Sequence, residues 1–181
     1  MSNHVGTHID VPYHFAGDGK RIDEYDAHEW VCGHVQLIEL SLNEGELIYP
    51  EKWTDQIRGD TEMILLKTHF EQRRAEQSYW ATNPGLTPQL GQWLKSHRPA
   101  VRFVGMDFIS ATSYLHRPLG KETHQSFLTD LGGPPIMLIE DMRLSEVTSD
   151  PSSVIVLPLR VKGSDGGPVT VIARTQPEVG L

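Results

Sequence analysis

His4, His8, Asp10 and His14 put three imidazoles and one carboxylate at even positions within eleven residues. In extended backbone, side chains an even number of residues apart project to one face. A β-like path through His4-Val5-Gly6-Thr7-His8-Ile9-Asp10-Val11-Pro12-Tyr13-His14 therefore converges all four groups. A helix would turn Asp10 away from the histidines, and Pro12 opposes one, so the spacing predicts strand geometry. Three nitrogen or oxygen ligands with an open fourth position suit a catalytic divalent ion, whereas closed structural sites favour thiolates. Cys32 is the only cysteine, so a thiolate cage is excluded. Gly6 permits a turn or close backbone approach, and Thr7 can orient a ligand through its hydroxyl.

The rest of the chain alternates short apolar runs with turn residues. Gly33 to Leu40, Met63 to Lys67, Ala100 to Val104, Ile136 to Glu140, Val154 to Leu159 and Val169 to Ala173 read as strands bounded by Gly, Pro and Ser. Leu86 to His97 reads as a helix, with Thr87 as N-cap, Pro88 at the first helical position, and Leu90, Trp93 and Leu94 on one face. Pro50 to Ile57 and Glu122 to Leu128 read as shorter helices. Gly163 to Pro168 reads as a loop between the last strands. With 38% apolar residues and no repeat or linker, residues 1–181 are expected to form one α/β mixed domain.

A formal charge of −8 disfavours nucleic acid and anionic membranes as partners. The longest apolar runs, such as Met63 to Leu66 and Ile136 to Ile139, fall far short of the ~20 residues that span a bilayer. No signal-peptide pattern precedes the first motif, so a cytoplasmic location is expected. Cys32, within Trp30-Val31-Cys32, reads as a buried thiol.

His4 through Phe15 matches the His-x-Gly-Thr-His-x-Asp-x-Pro-x-His-Phe signature and resembles the cyclase family, whose members include bacterial kynurenine formamidases and isatin hydrolases. The resemblance continues through Gly17 to Ile22, Leu86 to Leu94, Val104 to Ser110, His124 to Leu128, Ile136 to Glu140 and Gly163 to Ala173. It implies a swivelling β/β/α-type fold, commonly assembled as a homodimer or higher homo-oligomer. It further implies one or two divalent ions, zinc or manganese, with His4, His8 and Asp10 as ligands and Asp10 able to bridge. His14 would be the proton shuttle. The family's later histidine and strand-end glutamate match His124 and Glu140, with a longer intervening loop than in the formamidase pattern and with His116 as a substitute for His124. Family members carry a segment of several dozen residues before the signature, so the domain is expected to be N-terminally short.

The implied activity is hydrolysis of an amide-like C–N bond in a small molecule, an arylformamide or a cyclic amide. A bound ion would acidify water toward ~7 and polarise the carbonyl. An imidazole, with an ordinary pKa near ~6.5, exchanges protons at neutral pH. The alternative is a catalytically weak family member that binds metal or a small ligand. Asp107 and Ser110 can support the site or cap a loop, and Tyr13, Phe15, Tyr79, Trp80 and Trp93 can wall an apolar pocket or belong to the core. Arg73 and Arg74 read as a solvated charged face.

Overall fold

Alternation along the strands decides which side of one large sheet each residue faces. The computed structural model describes residues 3–175, so the ends of the expected 1–181 domain, residues 1–2 and 176–181, lie outside the described residues. Among the described residues there are ten strands: β1 (His8–Asp10), β2 (Val31–Cys32), β3 (Val35–Glu39), β4 (Leu47–Ile48), β5 (Met63–Lys67), β6 (Gly85–Leu86), β7 (Phe103–Met106), β8 (Met137–Glu140), β9 (Ser153–Pro158) and β10 (Gly166–Arg174). Three α-helices, α1 (Gln77–Ala81), α2 (Pro88–His97) and α3 (Gly120–Leu128), join them, with several 3-10 turns. Eight strands form a mixed sheet in the order β2-β9-β10-β1-β8-β7-β5-β3, while β4 and β6 pair separately. The four from β8 to β3 are parallel and the other four join antiparallel. Parallel neighbours need crossover connections; α2 lies in that from β5 to β7, α3 in that from β7 to β8, and β4 with a 3-10 turn in that from β3 to β5.

Both faces of the parallel half are covered, which is why its strands are continuous apolar runs. On one face Ile64, Leu66, Val104, Met106 and Leu138 pack with Leu90 and Leu94 of α2 and Phe127 and Leu128 of α3. On the other, Met63, Leu65, Phe103, Met137 and Ile139 join Ile9, Trp30, Cys32, Val154 and Val156. Burying each large aliphatic side chain contributes about 1.5–3 kcal/mol, and the two cores fix the register of the strands between them.

Helix α2 starts where the sequence places it: Thr87 Oγ1 accepts the Leu90 N–H at 3.4 Å and Pro88 occupies the first turn. Such a cap is worth about 1 kcal/mol. The Pro50–Ile57 segment is a 3-10 turn over Lys52–Gln56. The strand expected from Ala100 starts at Phe103, because Val101 N–H closes a turn onto Arg98 O. The expected Gly163–Pro168 loop is also corrected, since Gly166 already opens β10 and pairs with Asp10. A Cβ at Gly166 would stand 2.4 Å from Ile9 O, so the tract is glycine-rich where two backbones meet. Cys32 is fully buried, and burial pushes its thiol up to about 12 against the lowering influence of Arg102. Among the described residues no helix is long and apolar enough to cross a membrane.

Candidate metal centre

Strand β1 lies between β10 and β8, with His8 opposite Glu140 and Asp10 opposite Leu138. Ile9 and Ile139 face the core away from α3, so the period of two sends His8, Asp10 and Glu140 to the face that α3 covers. His124 comes from α3, whose Gly120, Thr123, His124, Phe127 and Leu128 form its buried stripe. The convergence expected along residues 4 to 14 is present, but the continuous extended path is not. Only His8–Asp10 is strand; Gly6 turns the chain at φ +65°, and Pro12 opens a 3-10 turn that ends at His14. Glycine pays no steric cost for the first bend, and proline's fixed φ favours the second.

His4 Nδ1 stands 2.7 Å from Asp10 Oδ1, and His8 Nε2 is 3.7 Å from the same oxygen and 3.3 Å from Glu140 Oε2. His124 Nε2 lies 3.6 Å from Asp10 Oδ2 and 3.5 Å from Glu140 Oε1. Two sets follow, His4/His8/Asp10 and Asp10/His124/Glu140; in each, one ligand atom per residue lies within 4.8 Å of the others. Asp10 belongs to both. His116 stands exposed on a kinked 3-10 turn outside either set. His8 and His124 turn their Nδ1 atoms to Gly6 O and Gly120 O, both at 2.8 Å, which leaves Nε2 facing the carboxylates. Metal-ligating histidines are held in this manner.

Asp10 and Glu140 are 1% and 3% exposed, and among the described residues only histidines pair with them. Two buried carboxylates faced by histidines and by no lysine or arginine suit a bound cation, whose place protonated imidazoles take in metal-free protein. A nitrogen and oxygen donor set of this kind fits a divalent ion. Glu140 also accepts the Ala111 N–H at 2.7 Å and the Ser110 hydroxyl at 3.4 Å, so Ser110 supports the site. Asp107 instead holds a loop through Thr68 N–H, Thr68 Oγ1 and His69 N–H.

Burial disfavours charge on His8, but the hydrogen bond and charge of Glu140, followed by Asp10, raise its pKa to about 9. His124 is raised by the same carboxylates against burial. For Glu140, burial raises the pKa, but His124 and His8 outweigh it and hold the group well below the carboxylate range. In metal-free protein the His8 proton therefore adds stability that is complete below pH 6.5 and lost as pH rises through about 9. The shift corresponds to about 3 kcal/mol. Thermal melting in chelator is expected to give a midpoint several degrees lower at pH 9.5 than at pH 6, at roughly 2–4 °C per kcal/mol for a chain of this size. An equal or higher midpoint at pH 9.5 would contradict the assignment.

His14 lies outside both sets. Its Nδ1 is 2.7 Å from Asp165 Oδ2, and His4 Nε2 is 3.5 Å from Asp165 Oδ1. His4, His14 and Asp165 satisfy the same 4.8 Å distance condition, but the His4 and His14 rings stack at 4.2 Å with only 28° between their planes. Lone pairs lie in the ring planes, so two near-parallel rings do not aim at one ion without rotation. The His4 and His8 rings instead stand at 89° to each other. Partial burial raises the Asp165 pKa, but His14 and His4 outweigh it and hold it below the usual carboxylate range. Sequence reasoning missed Asp165; its one signal was a carboxylate in a glycine-rich tract, 151 residues from its partner.

Of the aromatic residues, Tyr79 is core, Trp93 packs against the core, Trp80 is exposed, and Phe15 stacks on His124 at 4.7 Å. Arg73 and Arg74 both lie at the surface as expected, Arg73 paired with Glu44 and Arg74 with Asp141. The centre opens into a cavity of about 370 Å³ walled by Phe15, Ile109 and Ser110. A second space of about 660 Å³ shares His14 and Phe15 and adds Tyr13, Lys121 and Asp165.

The Cyclase family model, described as "Putative cyclase", matches residues 1–112. The kynurenine formamidase of Bacillus cytotoxicus is 30% identical over 174 residues, covering 96% of this chain and 77% of the relative. Two solved structures share the fold. A potential metal-dependent hydrolase with cyclase activity aligns at TM-score 0.75 and 22% identity, over 98% of this chain and 82% of its own. Isatin hydrolase A from Labrenzia aggregata, bound to benzyl benzoate, aligns at TM-score 0.76 and 24% identity, over 97% and 75%.

Proposed function

The chain belongs to the cyclase family, and from that premise we propose that it hydrolyses an amide-like C–N bond in a small molecule, an arylformamide or a cyclic amide. The observation that carries this reading is the pair of ligand sets sharing the buried Asp10, with the His14–Asp165 pair beside them. His4, His8, Asp10, His124 and Glu140 hold one or two divalent ions, zinc in first place and manganese in second. A bound ion supplies acidified water and a Lewis acid for the carbonyl oxygen.

His14 takes the proton of the attacking water and returns it to the leaving nitrogen. Asp165 accepts the His14 Nδ1–H and so leaves Nε2 for the reacting atoms. Phe15, stacked on His124, walls the side on which a planar substrate lies. We further assign residues 1–181 to a single domain that assembles as a homodimer or higher homo-oligomer in the cytoplasm.

The test is metal analysis of the purified chain followed by assay on an N-formyl arylamine and on isatin, with and without chelator. Turnover that chelator removes and metal restores is expected. Stoichiometric metal without turnover on any amide would instead describe a metal-binding family member, and protein with no divalent ion would remove the centre itself.

A further inference from the structure

Asp141, next to Glu140, has left-handed backbone at φ +56°, one of two such residues other than glycine among the described residues. Its backbone N–H, its carbonyl and one carboxylate oxygen are all engaged. Its N–H donates to Phe108 O at 2.9 Å, and its carbonyl accepts Thr7 Oγ1 at 2.7 Å and Arg74 Nη2 at 3.2 Å. Its carboxylate accepts Arg74 Nη2 at 2.6 Å and the hydroxyl of Tyr79, which is fully buried. A strained conformation persists only where its surroundings over-determine it, and such strain gathers at functional sites.

The two ends of this network are what give it a function. Glu140 precedes Asp141 in the chain, and Thr7 precedes His8, the residue paired with Glu140 across β1 and β8. Resting on the metal centre described above, we propose that Arg74 and Tyr79 act through Asp141 as positioning residues that set Glu140 and His8 at the separation a divalent ion requires. Thr7 joins the segment carrying His4 and His8 to the end of the strand carrying Glu140. Neither Arg74 nor Tyr79 touches either ligand set directly, so their influence passes through the Asp141 backbone and Thr7.

The experiment compares Tyr79→Phe, Arg74→Met and Asp141→Asn in the full chain. It measures zinc affinity by competition with a chromogenic chelator and the melting midpoint of the metal-free protein. Tyr79→Phe and Arg74→Met are expected to weaken zinc binding by about 10–100-fold, as loss of residues supporting metal ligands does. Asp141→Asn is expected to lose less than either, because asparagine tolerates left-handed backbone and keeps an acceptor oxygen. A merely structural network would lower the metal-free midpoint and leave zinc affinity unchanged. Affinities within about twofold of wild type in Tyr79→Phe and Arg74→Met overturn the proposal, whatever their melting. Arg74 is partly exposed, so Arg74→Met keeps the test open if the core variant fails to fold. Wild-type protein that binds no zinc would overturn the metal centre and this network with it, an outcome distinct from unchanged variants.

Discussion

Asp10→Asn is expected to strip the purified protein of divalent metal and to lower hydrolysis to the level seen in chelator. Asp10 is the one residue shared by the two ligand sets: Oδ1 faces His4 and His8, and Oδ2 faces His124. Asparagine keeps the shape but replaces one oxygen with an NH2 donor, which points hydrogen atoms at one set and removes the charge from both. The loss in affinity is expected to exceed the about 10–100-fold caused by removing a supporting residue. His4→Ala touches one set and is expected to leave a partial metal complement. Metal-to-protein stoichiometry after desalting, read beside the rate, decides it. Asp10→Asn protein with full metal and full rate would refute the shared-ligand reading.

His14→Ala is expected to retain metal and lose turnover by about 10²–10⁴-fold, the usual contribution of a positioned acid or base. That range is about 3–5 kcal/mol in the barrier. The separation of effects follows from geometry, because His14 leans on Asp165 and its ring plane nearly parallels that of His4. Asp165→Asn keeps an acceptor for Nδ1 but removes its charge, so a smaller loss in kcat with little change in metal content is expected. Loss of metal in His14→Ala would move His14 among the ligands, and unchanged turnover would remove it from the reaction.

Local chemistry made much of this legible before any coordinates. Thr87 and Pro88 mark the start of α2 because capping and a fixed φ are properties of adjacent residues. The even spacing of His8 and Asp10 puts both on one side of β1, since the strand period acts within a few residues. At Gly6 and Pro12 the same local reasoning had the elements to predict two bends, yet a single extended path was expected there. The bends bring His4 and His14 around by different routes.

The residues themselves, His4, His8, Asp10 and His14, with His124 and Glu140 through the family resemblance, could be named from sequence alone. A bridging Asp10 was implied by the same resemblance, but their division into His4/His8 on one side of it and His124/Glu140 on the other was not. That division depends on register between β1 and β8 and on the side of the sheet that α3 covers, contacts over more than a hundred residues. Asp165 beside His14, and Arg74 and Tyr79 on Asp141, lay beyond reach for the same reason: a carboxylate's partner across the fold leaves no periodicity in the chain around it. The donor chemistry was legible in the chain itself, because it belongs to the side chains; only the tertiary structure decided which atoms meet, because strand pairing and helix packing bring distant segments within bonding distance.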